Sequence, residues 1–133
     1  MSWQPPIFDR TQADVDARNA KAYLDILDYD RIEGNTAHLA TEFGLQLATR
    51  SWALDDMPTP SEFTRLGSNL AQLISAYHVL PSTPTVPQNP INTFSKVNDL
   101  EKILWVLYTL WTENQKNILY AGEGYAGESI GVI

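Results

Sequence analysis

The chain has 133 residues, 44% of them hydrophobic and 19% charged, with a net charge of −7 and no cysteine. That length and balance suit one domain with a real core and exclude extended disorder. Disulfides and thiolate metal sites are excluded, as is a phosphate-binding surface, because the nine basic residues are scattered.

Residues 1–10, with Pro5 and Pro6 adjacent, predict an extended N-terminal arm. No basic segment followed by an apolar run opens the chain, so a signal peptide is not expected. Trp3, Ile7 and Phe8 are apolar for a tail; either they pack on their own domain or they dock on a neighbour. A first helix is predicted from about 11 to 27, capped by Thr11 or Asp9, with Asp14 and Asp16 at the positive end of its dipole.

A second helix is predicted from a cap at Asp28 to Phe43, with Tyr29, Ile32, Thr36, Leu39, Ala40 and Phe43 on its apolar face and Gly44 as its stop. Gly34 inside it lowers helix propensity by about 1 kcal/mol relative to Ala, which points to close packing there. After a connection over 45–58, Thr59-Pro60-Ser61-Glu62 reads as the start of a third helix. Thr59 can cap it, Glu62 can reach back, and proline suits the first turn. Phe63, Leu66, Leu70, Leu73, Ile74 and Tyr77 form its apolar face.

Pro81, Pro84, Pro87 and Pro90 recur every three residues, the period of a polyproline turn, and predict a semi-rigid strap over 81–92, with an SH3-type ligand as the alternative. A fourth helix is expected from Ser95 to about Lys116. Val97, Leu100, Ile103, Leu104, Leu107 and Trp111 form one face, and Trp105, Val106, Tyr108 and Leu110 extend it nearly all round. Such a helix is central in the fold or shared with a partner. The glycines from Gly122 to Gly131 predict a C-terminal arm over 121–133, loose or pairing as a strand with a neighbour.

The second and third helices echo each other at an offset of 34 residues: Tyr29, Arg31, Ile32, Asn35, Ala37 and Leu39 align with Phe63, Arg65, Leu66, Asn69, Ala71 and Leu73. Doubling the offset puts Ile32 on Leu100 and Glu33 on Glu101, a much weaker match. Helical arrays of this period need two helices per repeat, and the proline strap leaves no room for one. The expected fold is therefore all-α, a compact bundle of about four helices over 11–120 with two terminal arms. Asn35 and Asn69 are either hydrogen-bonded between helices or exposed.

No catalytic constellation stands out. His38 and His78 have no metal-ligand spacing, and Asp25, Asp28 and Asp30 miss the spacing of a calcium loop. Asp14 with Asp16, or Asp55 with Asp56, would need a cleft to act as acid and base. Gly122-Glu123-Gly124-Tyr125-Ala126-Gly127 has the dinucleotide glycine pattern without room for the strand, helix and acidic residue that give it meaning. A non-enzymatic protein without cofactor or metal is expected. No stretch nears the roughly 20 apolar residues of a membrane span, so neither a membrane nor nucleic acid is an expected partner.

Several segments in order resemble a family of phage and prophage minor structural proteins of Gram-positive bacteria. They are Phe8-Asp9-Arg10-Thr11-Gln12-Ala13-Asp14-Val15, Asp28-Tyr29-Asp30-Arg31-Ile32-Glu33-Gly34-Asn35, Trp52 with Met57-Pro58-Thr59, the proline strap, Asn98-Asp99-Leu100-Glu101-Lys102-Ile103-Leu104, and the Gly-Glu motifs at 122–123 and 127–128. The resemblance implies a virion component of tail, baseplate or fibre, acting as adaptor or decoration subunit, with other virion proteins and further copies of itself as partners. A module attaching to carbohydrate or protein, including a host-surface glycan, is the alternative. Trp3, Ile7, Phe8, Trp105, Tyr108, Trp111, Tyr125 and Ile130 are the expected partner interface.

Overall fold

A computed structural model describes residues 3–19 and 24–124, with side chains through residue 115. The described residues form four helices and no strand: α1 (Gln12–Asp16), α2 (Ile26–Phe43), α3 (Pro60–Ala76) and α4 (Phe94–Gly124). α2, α3 and α4 pack pairwise on one another.

The three long helices run parallel, because like ends meet. Near their starts the rings of Tyr29 and Phe63 lie 6.0 Å apart. At their far ends Phe43, Tyr77 and Trp111 close a triangle with centroid separations of 5.4, 5.1 and 5.4 Å. These three aromatics stand 34 residues apart in sequence. The layers between them keep the same offset. Ile32, Leu66 and Leu100 form one layer, Thr36, Leu70 and Leu104 the next, and Leu39, Leu73 and Leu107 the third, all fully buried. Stepping from 29 through 32, 36 and 39 to 43 gives the alternating spacing of three and four that defines a coiled-coil seam. The core is thus a three-stranded parallel coiled coil made from one chain.

Parallel neighbours need a connection as long as the helices themselves. α2 rises about 27 Å, well within the reach of the roughly 15 residues between α2 and α3 at about 3.3 Å each. The segment 45–58 therefore returns along the outside of α2 and α3, and the proline-rich segment 78–92 does the same along α3 and α4. The arm 3–10 completes the set: Trp3 lies at the level of His38 and Tyr108, and Arg10 lies at the level of Asp28 and Asn98. Three straps fill three grooves. The repeating unit is one strap and one helix, which is how a period of 34 coexists with a compact bundle.

Several boundaries differ from expectation. Among the described residues the first helix covers Gln12–Asp16, with a capping box between Thr11 and Asp14, and Arg18 takes a positive φ of 57° beyond it; the expected stretch at 20–23 lies outside the described residues. None of its residues is buried, so no packed face sustains it beyond its caps. The cap of α2 is Asp25, with Asp28 reaching back to the Asp25 backbone. Gly44 ends that helix at φ 74°, a left-handed conformation that glycine adopts without cost. Thr59 caps α3 as expected, but Glu62 turns to Arg50 and Arg65 rather than back to the cap. α4 overruns the expected stop near Lys116 and continues through Gly122 to Gly124. A helix already nucleated upstream bears glycine at the cost of propagation alone, about 1 kcal/mol each.

Candidate functional site

Charged residues on helices usually face water, yet Glu33 and Glu101 are fully buried. Each is the centre of a clamp that holds a strap in its groove. In the first groove, between α4 and α2, Arg31 donates from Nε and Nη2 to the two oxygens of Glu101, each at 2.7 Å. Arg10, itself on the arm, donates to Glu101 at 3.2 Å and to Asp28 at 2.9 Å. Glu101 also accepts from the backbone N–H of Ile7 at 3.1 Å. Asn35 pairs with both backbone groups of Gln4 at 2.9 Å, and Asn98 donates to the Arg10 carbonyl at 2.8 Å. The arm is bonded along its length.

The second groove, between α2 and α3, repeats this arrangement 34 residues on. Arg65 grips Glu33 with both terminal nitrogens, Nη1 at 2.8 Å from Oε1. The indole N–H of Trp52, on the strap, donates to Glu33 at 3.0 Å. Asn69 donates to the Ala48 carbonyl at 2.8 Å, as Asn35 does to Gln4. Both asparagines are therefore buried, and their partners are strap backbone rather than a second helix. Arg50 lies over the Trp52 ring at 4.1 Å and bridges Asp56 and Glu62 at 2.7 Å each.

The third groove, between α3 and α4, carries Gly67 and Asp99 where the other two carry glutamate and arginine. A Cβ on Gly67 would stand 3.5 Å from Val86 Cγ1, so strap and helix simply touch. Asn89 donates to the Pro60 carbonyl and to Thr64 Oγ1 at 2.9 Å each. The Tyr29 hydroxyl donates to the Ile91 carbonyl at 2.8 Å.

The electrostatics agree with a clamping role. For Arg31, burial alone would lower the pKa, but hydrogen bonds and charge from Glu101 and Asp28 outweigh it and raise it. Arg65 is raised too, first by its hydrogen bond to Glu33. Both oxygens of each buried glutamate accept hydrogen bonds, Glu101 from Arg31, Arg10 and the Ile7 N–H, and Glu33 from Arg65 and Trp52. Burial pushes the Tyr29 hydroxyl up to about 12 and raises the Asp99 carboxyl. Among the described residues no group of three His, Asp or Glu side chains is placed to hold a metal ion, and no helix is long and apolar enough to cross a membrane.

The expected interface residues fall largely on the domain's own seams. Trp3 stacks on Tyr108 with centroids 4.0 Å apart and planes 5° from parallel, and His38 sits 5.9 Å from each. Phe8 packs on Trp105 at 5.4 Å, with Lys102 Nζ 4.7 Å from both rings. Ile7 is half-buried on the arm beside a shallow cleft of about 360 Å³ that Pro6, Phe8 and Asp9 share. Trp111 belongs to the aromatic triangle and donates to Glu42 at 3.2 Å. Trp105 keeps 38% of its surface exposed. Tyr125 and Ile130 lie outside the described residues. The surplus apolar surface of the fourth helix is thus the seat of the arm.

Sequence reasoning passed over Arg10, Arg31, Arg65, Glu33 and Glu101 as functional positions. The signal was present: Arg31 with Arg65 and Glu33 with Glu101 are members of the echo, and a charged residue conserved in register with a buried seam has a buried partner to explain it. No protein-family model, no curated protein and no solved structure matches the chain.

Proposed function

We propose that this chain is a non-enzymatic structural module of a bacteriophage particle, an adaptor or decoration subunit associated with tail, baseplate or fibre. The observation that carries the reading is where the resembling segments fall. Arg10, Asp28, Arg31, Glu33, Asn35, Trp52, Asn98 and Glu101 belong to those segments; Arg31 ties α2 to α4 through Glu101, and the others join a strap to the helices. Residues spent in this way maintain a rigid shape, which is what a particle component supplies.

α4 adds a second support. It continues for 13 residues past Trp111, about 20 Å of helix at 1.5 Å per residue, a length that suits contact with a neighbouring protein. Mass spectrometry of purified particles, with a size measurement on the isolated protein, is the test. The module should be found in particles and should associate with itself or with another particle protein. A monomer that is absent from particles overturns the reading.

Trp105 favours one alternative, an attachment module for host-surface carbohydrate, since sugar rings stack on exposed aromatic faces. Against it, Lys102 already lies over Trp105 and Phe8, and a sugar would have to displace it. A glycan array with the Trp105→Ala variant as control decides between the two.

A further inference from the structure

The segment between α2 and α3 carries a feature that clamping does not use. Leu54 is 82% exposed and Met57 78% exposed, the two most exposed large apolar side chains among the described residues. They do not sit on a loose loop. The turn that bears them is closed by Asp56 N–H donating to the Ala53 carbonyl at 2.9 Å and Ala53 N–H donating to the Asp56 carboxylate at 2.7 Å. Arg50 then ties Asp56 to Glu62 on α3. A braced turn presents its apolar side chains to solvent in one fixed arrangement, so little ordering cost remains when a partner covers them.

Beside the turn lies a cleft of about 330 Å³ at the starting end of the bundle, walled by Leu24, Ile26, Tyr29, Leu54, Met57 and Pro58. That volume accepts one or two aliphatic side chains. Among the described residues its charged lining is Asp25 and Asp56, the latter paired with Arg50, and the exposed Asp55 on the same turn keeps the rim acidic on balance. A second copy would bring its own acidic rim against this one, and like charges facing across an interface cost affinity. An apolar anchor with lysine or arginine beside it matches both the cleft and its rim.

We infer that this end of the bundle is a docking surface for a protein segment that inserts an aliphatic side chain flanked by basic residues. The inference stands apart from the virion reading, since it rests on the turn and the cleft alone. Anchors of this kind work by filling a desolvated pocket, and the surrounding charges set approach and selectivity.

The test uses the full chain, isotope-labelled, and three short peptides: Lys-Arg-Leu-Leu-Arg-Lys, the same with serine for leucine, and Glu-Glu-Leu-Leu-Glu-Glu. The basic leucine peptide should shift amides of residues 24–29 and 53–57, more weakly as salt rises, while the other two do not. Leu54→Ser with Met57→Ser should weaken that binding by about tenfold or more. Both side chains are exposed, so the thermal midpoint of this variant should match the parent and separate lost binding from lost fold. Asp55→Lys should weaken binding through charge alone. Equal binding of the acidic peptide, shifts confined to other residues, or no shifts at millimolar peptide would overturn the inference. So would dimerisation abolished by the Leu54/Met57 variant, which would make a second copy the occupant.

Discussion

The first two grooves of the bundle and the third are built on one plan and held by different forces. In the first two, a buried carboxylate meets a guanidinium from the next helix, and an asparagine pins the strap one turn further on. In the third, glycine, aspartate and isoleucine (Gly67, Asp99 and Ile103) occupy those three positions, and the strap is held by proline-shaped packing, neutral hydrogen bonds and the Lys96 ammonium donating to the Pro90 carbonyl at 3.0 Å, in place of a buried carboxylate–guanidinium pair. A buried ion pair is a poor source of net stability but is costly to break halfway. The clamps therefore fix which strap lies in which groove and at what level, whereas the third groove relies on apolar contact. The third strap carries four prolines against two in the arm, and they restrict the unfolded chain and lessen the entropy lost on folding.

The largest test of the contrast is removal of residues 1–10. The arm covers Tyr108 and Trp105 and supplies Arg10 to Glu101. Its loss should cost more than about 5 kcal/mol, comparable with the whole stability of a small domain, and circular dichroism should show no cooperative melting. A bundle that melts normally without the arm would show that the arm, Arg10 included, contributes nothing to stability.

Next in size, Arg65→Leu leaves Glu33 buried without a guanidinium and should cost about 3–5 kcal/mol in chemical denaturation. Arg31→Leu should cost clearly less, because Arg10 still reaches Glu101. Equal losses would mean that Arg10 does not share the charge.

These clamps also mark how far the sequence could be read. The seam was legible because apolar residues at 32, 39, 66, 73, 100 and 107 can lie only on a buried face. The braced start of α3 was legible from Thr59 and Pro60. The arm's destination was not: Trp3 and Phe8 are apolar wherever they pack, and only three-dimensional closure puts them on α4. For the same reason Trp105 and Tyr108 read as surface for a partner when the partner is the chain's own arm. Buried Glu33 and Glu101 were hidden because helical glutamate is ordinarily solvated, and nothing local distinguishes these two. Among the described residues the first helix is shorter than its helix-favouring composition suggests, because Gln12–Asp16 has no buried face to extend it.

Two changes of about 1 kcal/mol probe the third groove directly. Tyr29→Phe removes the hydroxyl bond to Ile91 and should destabilise by about 1 kcal/mol at neutral pH. Its pH dependence has a definite sign. The folded hydroxyl titrates at about 12 rather than 10, so its contribution is complete below pH 10 and is lost as pH rises toward 12. The difference between parent and Tyr29→Phe stability should shrink over that window, as read by urea midpoints. Gly67→Ala should act in the opposite direction. The added methyl meets Val86 at ordinary contact distance, and alanine favours the helix by about 1 kcal/mol. A loss of stability there would reveal a tighter approach of strap to helix than packing alone requires.

The smallest expected effect isolates what the missing third clamp leaves behind. Asp99 stands where Arg31 and Arg65 stand on the other helices, and burial raises its carboxyl pKa. A raised pKa means that the folded state disfavours the charged form, so ionised Asp99 lowers stability at neutral pH and the penalty lifts as pH falls through the folded value. Asp99→Asn removes the charge at nearly constant shape and should raise stability at pH 7 by about 0.5 kcal/mol or less. The gain should vanish in acid, where both side chains are neutral. A gain that persists in acid would assign the effect to helix propensity, and a loss at neutral pH would show that the carboxylate has a partner in the third groove after all.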